Sequence, residues 1–191
     1  MNVLILNASP RKGGNIHQML DIIHDELSNS GATIQEVFVN TLDVKPCVAC
    51  MKCRETHQCV MPEDDAHRVL ELIRWCDALV IGSPCYWGNM PGKLKLLFDR
   101  MVYGMMGENS LAVPIAMHKG KRCILISTSS TMYPINIWFN QTRGVIKALR
   151  EIMKWSGFRT IATIEKGGTY KKPSVISPRL RRRCIRAAHR L

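Results

Sequence analysis

No stretch of the 191-residue chain keeps about 18 apolar residues in a row, the least a membrane-crossing helix needs. A spanning helix is therefore excluded. The opening residues, MNVLILNASP, have no basic stretch ahead of their short apolar run, which argues against a secretory signal. A cytoplasmic location is expected, where thiols stay reduced and clustered cysteines signify metal or redox chemistry rather than staples. Neither G-x-G-x-x-G nor G-K-[ST] occurs, so the two common glycine-rich nucleotide loops are missing. Acidic residues stop at Glu165. Residues 166–191 hold nine of the 27 Lys and Arg and none of the 15 Asp and Glu, so the net charge of +12 is concentrated at one end. No aromatic residue interleaves with the run SPRLRRRCIRAAHRL, which disfavours base stacking on nucleic acid. That tail reads as a solvated helix docking on an acidic partner or a neighbouring subunit, with a phosphate-binding arm as the alternative.

What is present is an ordinary globular composition, 46% hydrophobic and 22% charged, long enough for one domain with a full core. Four of the eight cysteines fall within residues 46–65, PCVACMKCRETHQCVMPEDD. Cys47, Cys50, Cys53 and Cys59 are spaced C-x2-C-x2-C-x5-C. Three thiolates two residues apart can close on one face of a compact inorganic cluster, and the fourth reaches it from a short loop; bacterial [4Fe–4S] motifs begin with this run. A zinc site is usually built from separated knuckles and suits such tight spacing poorly. Incidental buried thiols or two disulfides are the remaining readings.

The rest of the chain alternates short apolar runs with helical patterns. Residues 3–6 are a buried strand bounded by a turn. The loop SPRKGGN, residues 9–15, leads into a helix with Ile16, Met19, Leu20, Ile23 and Leu27 on one face, Asn15 as N-cap and Gly31 just past its end. A strand, a short Gly/Ser/Arg loop and a helix N-terminus make an anion site, to which Ser9 and Arg11 can add side-chain bonds. A phosphate monoester such as that of FMN fits it better than a dinucleotide. Residues 33–40 alternate as a strand near the sheet edge. After the cysteine loop, Glu63, Asp64 and Asp65 open a helix. Residues 77–82 form the third strand, which ends at Pro84, Tyr86, Trp87, Gly88 and Asn89; loop aromatics there are good walls for a flat ring. Pro91 at N1 begins the next helix. Residues 101–121, rich in Met and Gly, read as a lid or an oligomer surface, with His118 more plausibly solvated than catalytic. Residues 122–127 and 158–164 are the fourth and fifth strands, with a helix of Val145, Ile146, Leu149, Ile152 and Met153 between them. Five strands alternating with helices predict a doubly wound parallel sheet of order 2-1-3-4-5, helices on both faces and ligand beyond strands 1 and 3.

On these residues the chain resembles the flavodoxin-like NADPH-dependent FMN reductase superfamily, and within it the iron–sulfur flavoproteins. Residues 9–15 are similar to the phosphate loop, and Ser83-Pro84-Cys85-Tyr86-Trp87-Gly88-Asn89 with Pro91-Gly92-x-Leu94-Lys95 and Asp99-Arg100 to the second flavin loop. The resemblance implies a domain over 1–165 with a basic tail over 166–191. It implies FMN phosphate on Ser9, Arg11 and Asn15, and the isoalloxazine against Pro84, Tyr86, Trp87, Gly88 and Asn89, with Thr128 and Ser129 on its other side. It also implies [4Fe–4S] on Cys47, Cys50, Cys53 and Cys59, and a homodimer or homotetramer. The position after Asn15, commonly Thr in that superfamily, is Ile16 here, which removes one hydroxyl contact. The function implied is FMN-dependent electron transfer, from a ferredoxin-like donor through the cluster to FMN and on to a small acceptor. One alternative is a cluster-free NAD(P)H-dependent reductase of quinones, azo or nitro compounds. The other, outside enzymes, is a basic module binding nucleic acid or an acidic partner.

Overall fold

The structure is a computed structural model that describes residues 1–170 and 175–191. Its centre is a five-stranded parallel sheet. The strands are β1 (Asn2–Asn7), β2 (Thr33–Phe38), β3 (Ala78–Pro84), β6 (Arg122–Thr128) and β7 (Arg159–Lys166), in the order β2-β1-β3-β6-β7. Counting only these five, that is the 2-1-3-4-5 order expected from the alternation of runs. The inner strands bury both faces, which is why they read as unbroken apolar runs. Val3 and Ile5 of β1 join a core with α1 (Asn15–Asn29) and α7 (Pro178–Ala188), whereas Leu4 and Leu6 join a second core with α3 (Asp65–Trp75), α4 (Gly92–Met105) and α6 (Gln141–Ser156).

Several boundaries differ from the sequence expectation. The N-cap of α1 is Gly14, in extended conformation, and Asn15 is already the first helical residue; a tight turn from Arg11 to Gly14 draws the chain into the helix one residue early. Strand β2 stops at Phe38, and Val39–Thr41 turn as a 3-10 helix that buries Val39. Pro91 is the N-cap of α4 rather than its first helical residue. The Met- and Gly-rich connection continues α4 and then folds into an antiparallel pair, β4 (Met106–Glu108) with β5 (Pro114–Ala116). His118 is buried, not solvated.

The basic tail does not await a partner for its apolar side. Ser177 caps α7 with Pro178 in its first turn. Leu180, Cys184, Ala187 and Ala188 are buried in the core that α1 also lines, and small residues on that stripe let the two helices lie close.

Candidate cofactor cleft and cysteine loop

A cleft of about 370 Å³ opens at the carboxyl ends of β1, β3 and β6, where doubly wound sheets hold their ligands. Ser9, Arg11, Asn15, Pro84, Tyr86 and Thr128 line it, all read from the sequence as cofactor residues. The first loop is wound by its own hydrogen bonds. The Ala8 N–H donates to Gly82 O at 2.8 Å, and the Ser9 N–H to Asn7 Oδ1 at 3.1 Å. The Arg11 N–H donates to Ser9 Oγ at 3.2 Å, and Gly14 N–H to Arg11 O at 3.3 Å. A Cβ on Gly82 would fall 2.7 Å from Ile16 Cγ2, so this glycine lets α1 seat against β3. The first turn of α1 thereby lies at the cleft, bringing its N–H groups and positive dipole end.

The wall after β3 is a tight hairpin. Tyr86 and Asn89 exchange two backbone hydrogen bonds of 2.9 Å, and Trp87 and Gly88 between them have φ of +52° and +71°, the signs of a type I′ turn. Tryptophan in the left-handed region is uncommon and costly, a form of strain that concentrates at functional sites. Tyr86 faces the cleft; Trp87 projects fully exposed, and Trp87, Gly88 and Asn89 form the rim rather than the lining. Helix α6 abuts this turn: a Cβ on Gly144 would land on the Gly88 carbonyl. Cys85 is pinned there too, its thiol donating to Gln141 Oε1 at 3.4 Å; burial pushes that thiol's pKa up, and a backbone bond with Gly88 only partly offsets it.

Beyond β6, Ser129 is buried and acts as a clasp. Its N–H donates to Lys166 O and its Oγ to Thr131 O, while its carbonyl accepts from the N–H and hydroxyl of Thr169. Ser130 lines the cleft in its place, and the clasp brings Thr169 and Tyr170 there as well. These two were missed because the segment after the fifth strand reads as basic tail. The signal was available, since ligands gather beyond every carboxyl end near the switch point.

The cysteine loop lies against α4. Among the described residues no three His, Cys, Asp or Glu side chains converge as metal ligands, and all eight cysteines are free thiols. The donor chemistry nonetheless fits a thiolate-bound group. Burial pushes the Cys53 thiol up; its backbone hydrogen bond opposes this, and the neighbouring Cys59, Cys50 and Cys47 add to it, so the four sulfurs share one electrostatic neighbourhood. The Ala49 N–H donates to Cys47 Sγ at 3.4 Å. More telling, the Arg100 side chain is wholly buried, and its Nε donates to Cys59 Sγ at 3.2 Å while its Nη1 donates to Asp64 Oδ2 at 2.6 Å and Lys45 O at 2.8 Å. Burial alone would weaken this cation, but the bonds to Cys59 and Asp64 prevail and its pKa is raised. His67 Nδ1 accepts the Asp64 N–H, so its Nε2 carries the proton given to Cys59 O at 2.8 Å. The short helix α2 (Cys53–Thr56) is tied down by Arg54 Nε donating to the Tyr103 hydroxyl, which donates to Glu108. Ala49, Met51 and His57 all adopt left-handed φ near this loop's turns, a concentration of backbone strain that again marks a site.

The sheet order and the cradle after its first strand define a flavodoxin-like protein. The chain belongs to the NADPH-dependent FMN reductase family, which it matches over residues 1–163. It is similar to an iron–sulfur flavoprotein of Methanosarcina thermophila, 35% identical over 102 residues and covering 53% of each chain. It thus spans about half the length of that relative. An iron–sulfur flavoprotein of Archaeoglobus fulgidus is 29% identical over 150 residues, covering 72% of this chain and 73% of the relative. In fold it is similar to an FMN-dependent NADH-azoreductase of Bacillus anthracis solved with FMN, with a TM-score of 0.76, 18% identity, and 99% and 98% of the two chains covered.

Proposed function

We propose that the protein is an FMN-dependent oxidoreductase in which Cys47, Cys50, Cys53 and Cys59 hold a [4Fe–4S] cluster, with electrons entering from a ferredoxin-like donor or NAD(P)H and leaving to a small acceptor. The observation that carries this reading is α4. It starts behind the Tyr86–Asn89 turn at the cleft, and its Arg100 and Tyr103 grip the cysteine loop. Arg100 lies eight positions after Gly92, about 12 Å of helix, so one rigid element relates the two sites.

When bound, FMN supplies two-electron storage and the cluster one-electron exchange. The chain's own residues do the rest. Ser9, Arg11, Asn15 and the start of α1 hold the phosphate. Pro84 and Tyr86 wall the ring on one side and Thr128 on the other; Trp87, Gly88 and Asn89 form its rim, and Ser129 fixes the loop behind it. Arg100, a buried cation, donates to Cys59 Sγ and holds that sulfur in place. Residues 1–165 form most of the FMN-binding domain, and the basic segment after them adds Thr169 and Tyr170 to the cleft and α7 to one core. The exposed Trp87 fits a subunit contact at the rim in a dimer or tetramer, and the cytoplasm is the compartment such thiols require.

The alternative is a cluster-free NAD(P)H-dependent reductase of quinones, azo or nitro compounds, favoured by the open arrangement of the four thiols. Cys50→Ser separates the two. On the proposed reading the variant, purified anaerobically, loses its iron–sulfur absorption and keeps FMN at wild-type stoichiometry. Unchanged iron and an unchanged visible spectrum in Cys50→Ser would defeat it.

A further inference from the structure

Strand β7 closes one end of the sheet order and, among the described residues, pairs only with β6, so its other side is an open edge there. A groove of about 470 Å³ runs along that edge, lined by β7 from Thr160 to Ile164 and by four arginines. Arg150 comes from α6 on one face of the sheet, Arg183 and Arg186 come from α7 on the other, and Arg190 lies in the turn just past the end of α7. Arg183 and Arg186 are three apart on one stripe of α7, beside the buried stripe of Leu180, Cys184 and Ala187, and Arg190 follows in the turn after it. All four are exposed. Among the described residues no carboxylate pairs with any of them; the ion pair of this helix region is His189 with Glu26. The edge offers backbone groups as well: Thr163 O points into the groove, where it accepts from Arg183 Nη2 at a long 3.4 Å.

We infer that this groove binds an extended acidic segment of a partner protein, which adds to β7 as a sixth strand while its carboxylates pair with the arginines. Three features select that occupant. Alternating N–H and C=O groups on a bare edge match a peptide backbone, which is how strand addition obtains its affinity. Guanidinium forks from two helices match carboxylates bidentately. A second copy pairing edge to edge would set arginine against arginine, a like-charge juxtaposition that opposes association. Single-stranded nucleic acid finds no aromatic platform, since Thr, Ile, Ala and Arg alone line the groove.

The test uses the full-length protein with its cofactors and a fluorescein-labelled octapeptide of alternating Glu and Val. Binding is read by fluorescence anisotropy at low salt, alongside amide hydrogen exchange. The expected results are saturable binding, protection of the Thr163 and Glu165 amides, and at least a tenfold loss for the same peptide N-methylated at alternate residues. The double variant Arg183→Glu/Arg186→Glu, or Arg150→Glu should the double variant fold poorly, weakens binding at least tenfold with FMN content unchanged. Equal binding of the N-methylated peptide would reduce the groove to a patch of charge and overturn the inference. So would displacement by an oligonucleotide of equal charge with equal or better affinity. No binding at all would mean that the arginines only shield an edge from aggregation, which also overturns it.

Discussion

At the scale of single residues, Arg100 bears the most. Burial would push the Asp64 carboxyl up, but hydrogen bonds from Lys45 N–H, Arg100 and Ala66 N–H outweigh it and hold the group below its ordinary 3.8. Arg100→Met leaves that carboxylate and Cys59 without their cation. A loss of about 3 kcal/mol is expected in urea unfolding, as for other broken buried pairs; a change within 0.5 kcal/mol would mean that water replaces the guanidinium. His118 gives the pH dependence. Burial, followed by the Lys121 charge, lowers it from 6.5 to about 4 despite its bond to Gly104 O. The unfolded chain therefore binds the proton between those values and the folded chain does not, so stability falls as pH drops from 6.5 towards 4. The span corresponds to a loss on the order of 3 kcal/mol, and His118→Gln should flatten the urea midpoint across that window. That Ser9, Arg11, Pro84 and Tyr86 line one cleft was legible because a strand's end followed by a turn places them there locally. Arg100 was not, because its importance comes from a cysteine 41 positions away that only the packing of α4 brings within reach.

At the scale of elements, strands and amphipathic helices were readable wherever burial on one stripe or on both faces leaves a periodic trace. The β4–β5 pair left none: its three-residue strands sit in a Met–Gly run without alternation. In α7 the arginines drowned the buried stripe, because Cys and Ala signal a core weakly. Gly144 shows an element constrained by its neighbour. Alanine there should favour an isolated helix by about 1 kcal/mol, yet its Cβ would strike the Gly88 carbonyl. Gly144→Ala is expected to lower the melting temperature and weaken FMN binding at least tenfold, read by flavin fluorescence. Unchanged affinity would mean that the Tyr86–Asn89 turn does not shape the flavin site.

For the molecule as a whole, alternation of strand and helix was enough to order the sheet, because crossover connections leave few topologies open. It was not enough to show that the chain's last helix completes one of the two cores. The resulting picture is a cleft and a thiol loop held at fixed separation by α4, with a cationic edge at the far side of the sheet. The most direct test of the account is the flavin, iron and acid-labile sulfide content of protein purified without oxygen. About one FMN with about four iron and four sulfide per chain is the expected result. FMN without iron or sulfide would leave a simple flavin reductase, and protein that takes up no flavin would contradict the account at its centre.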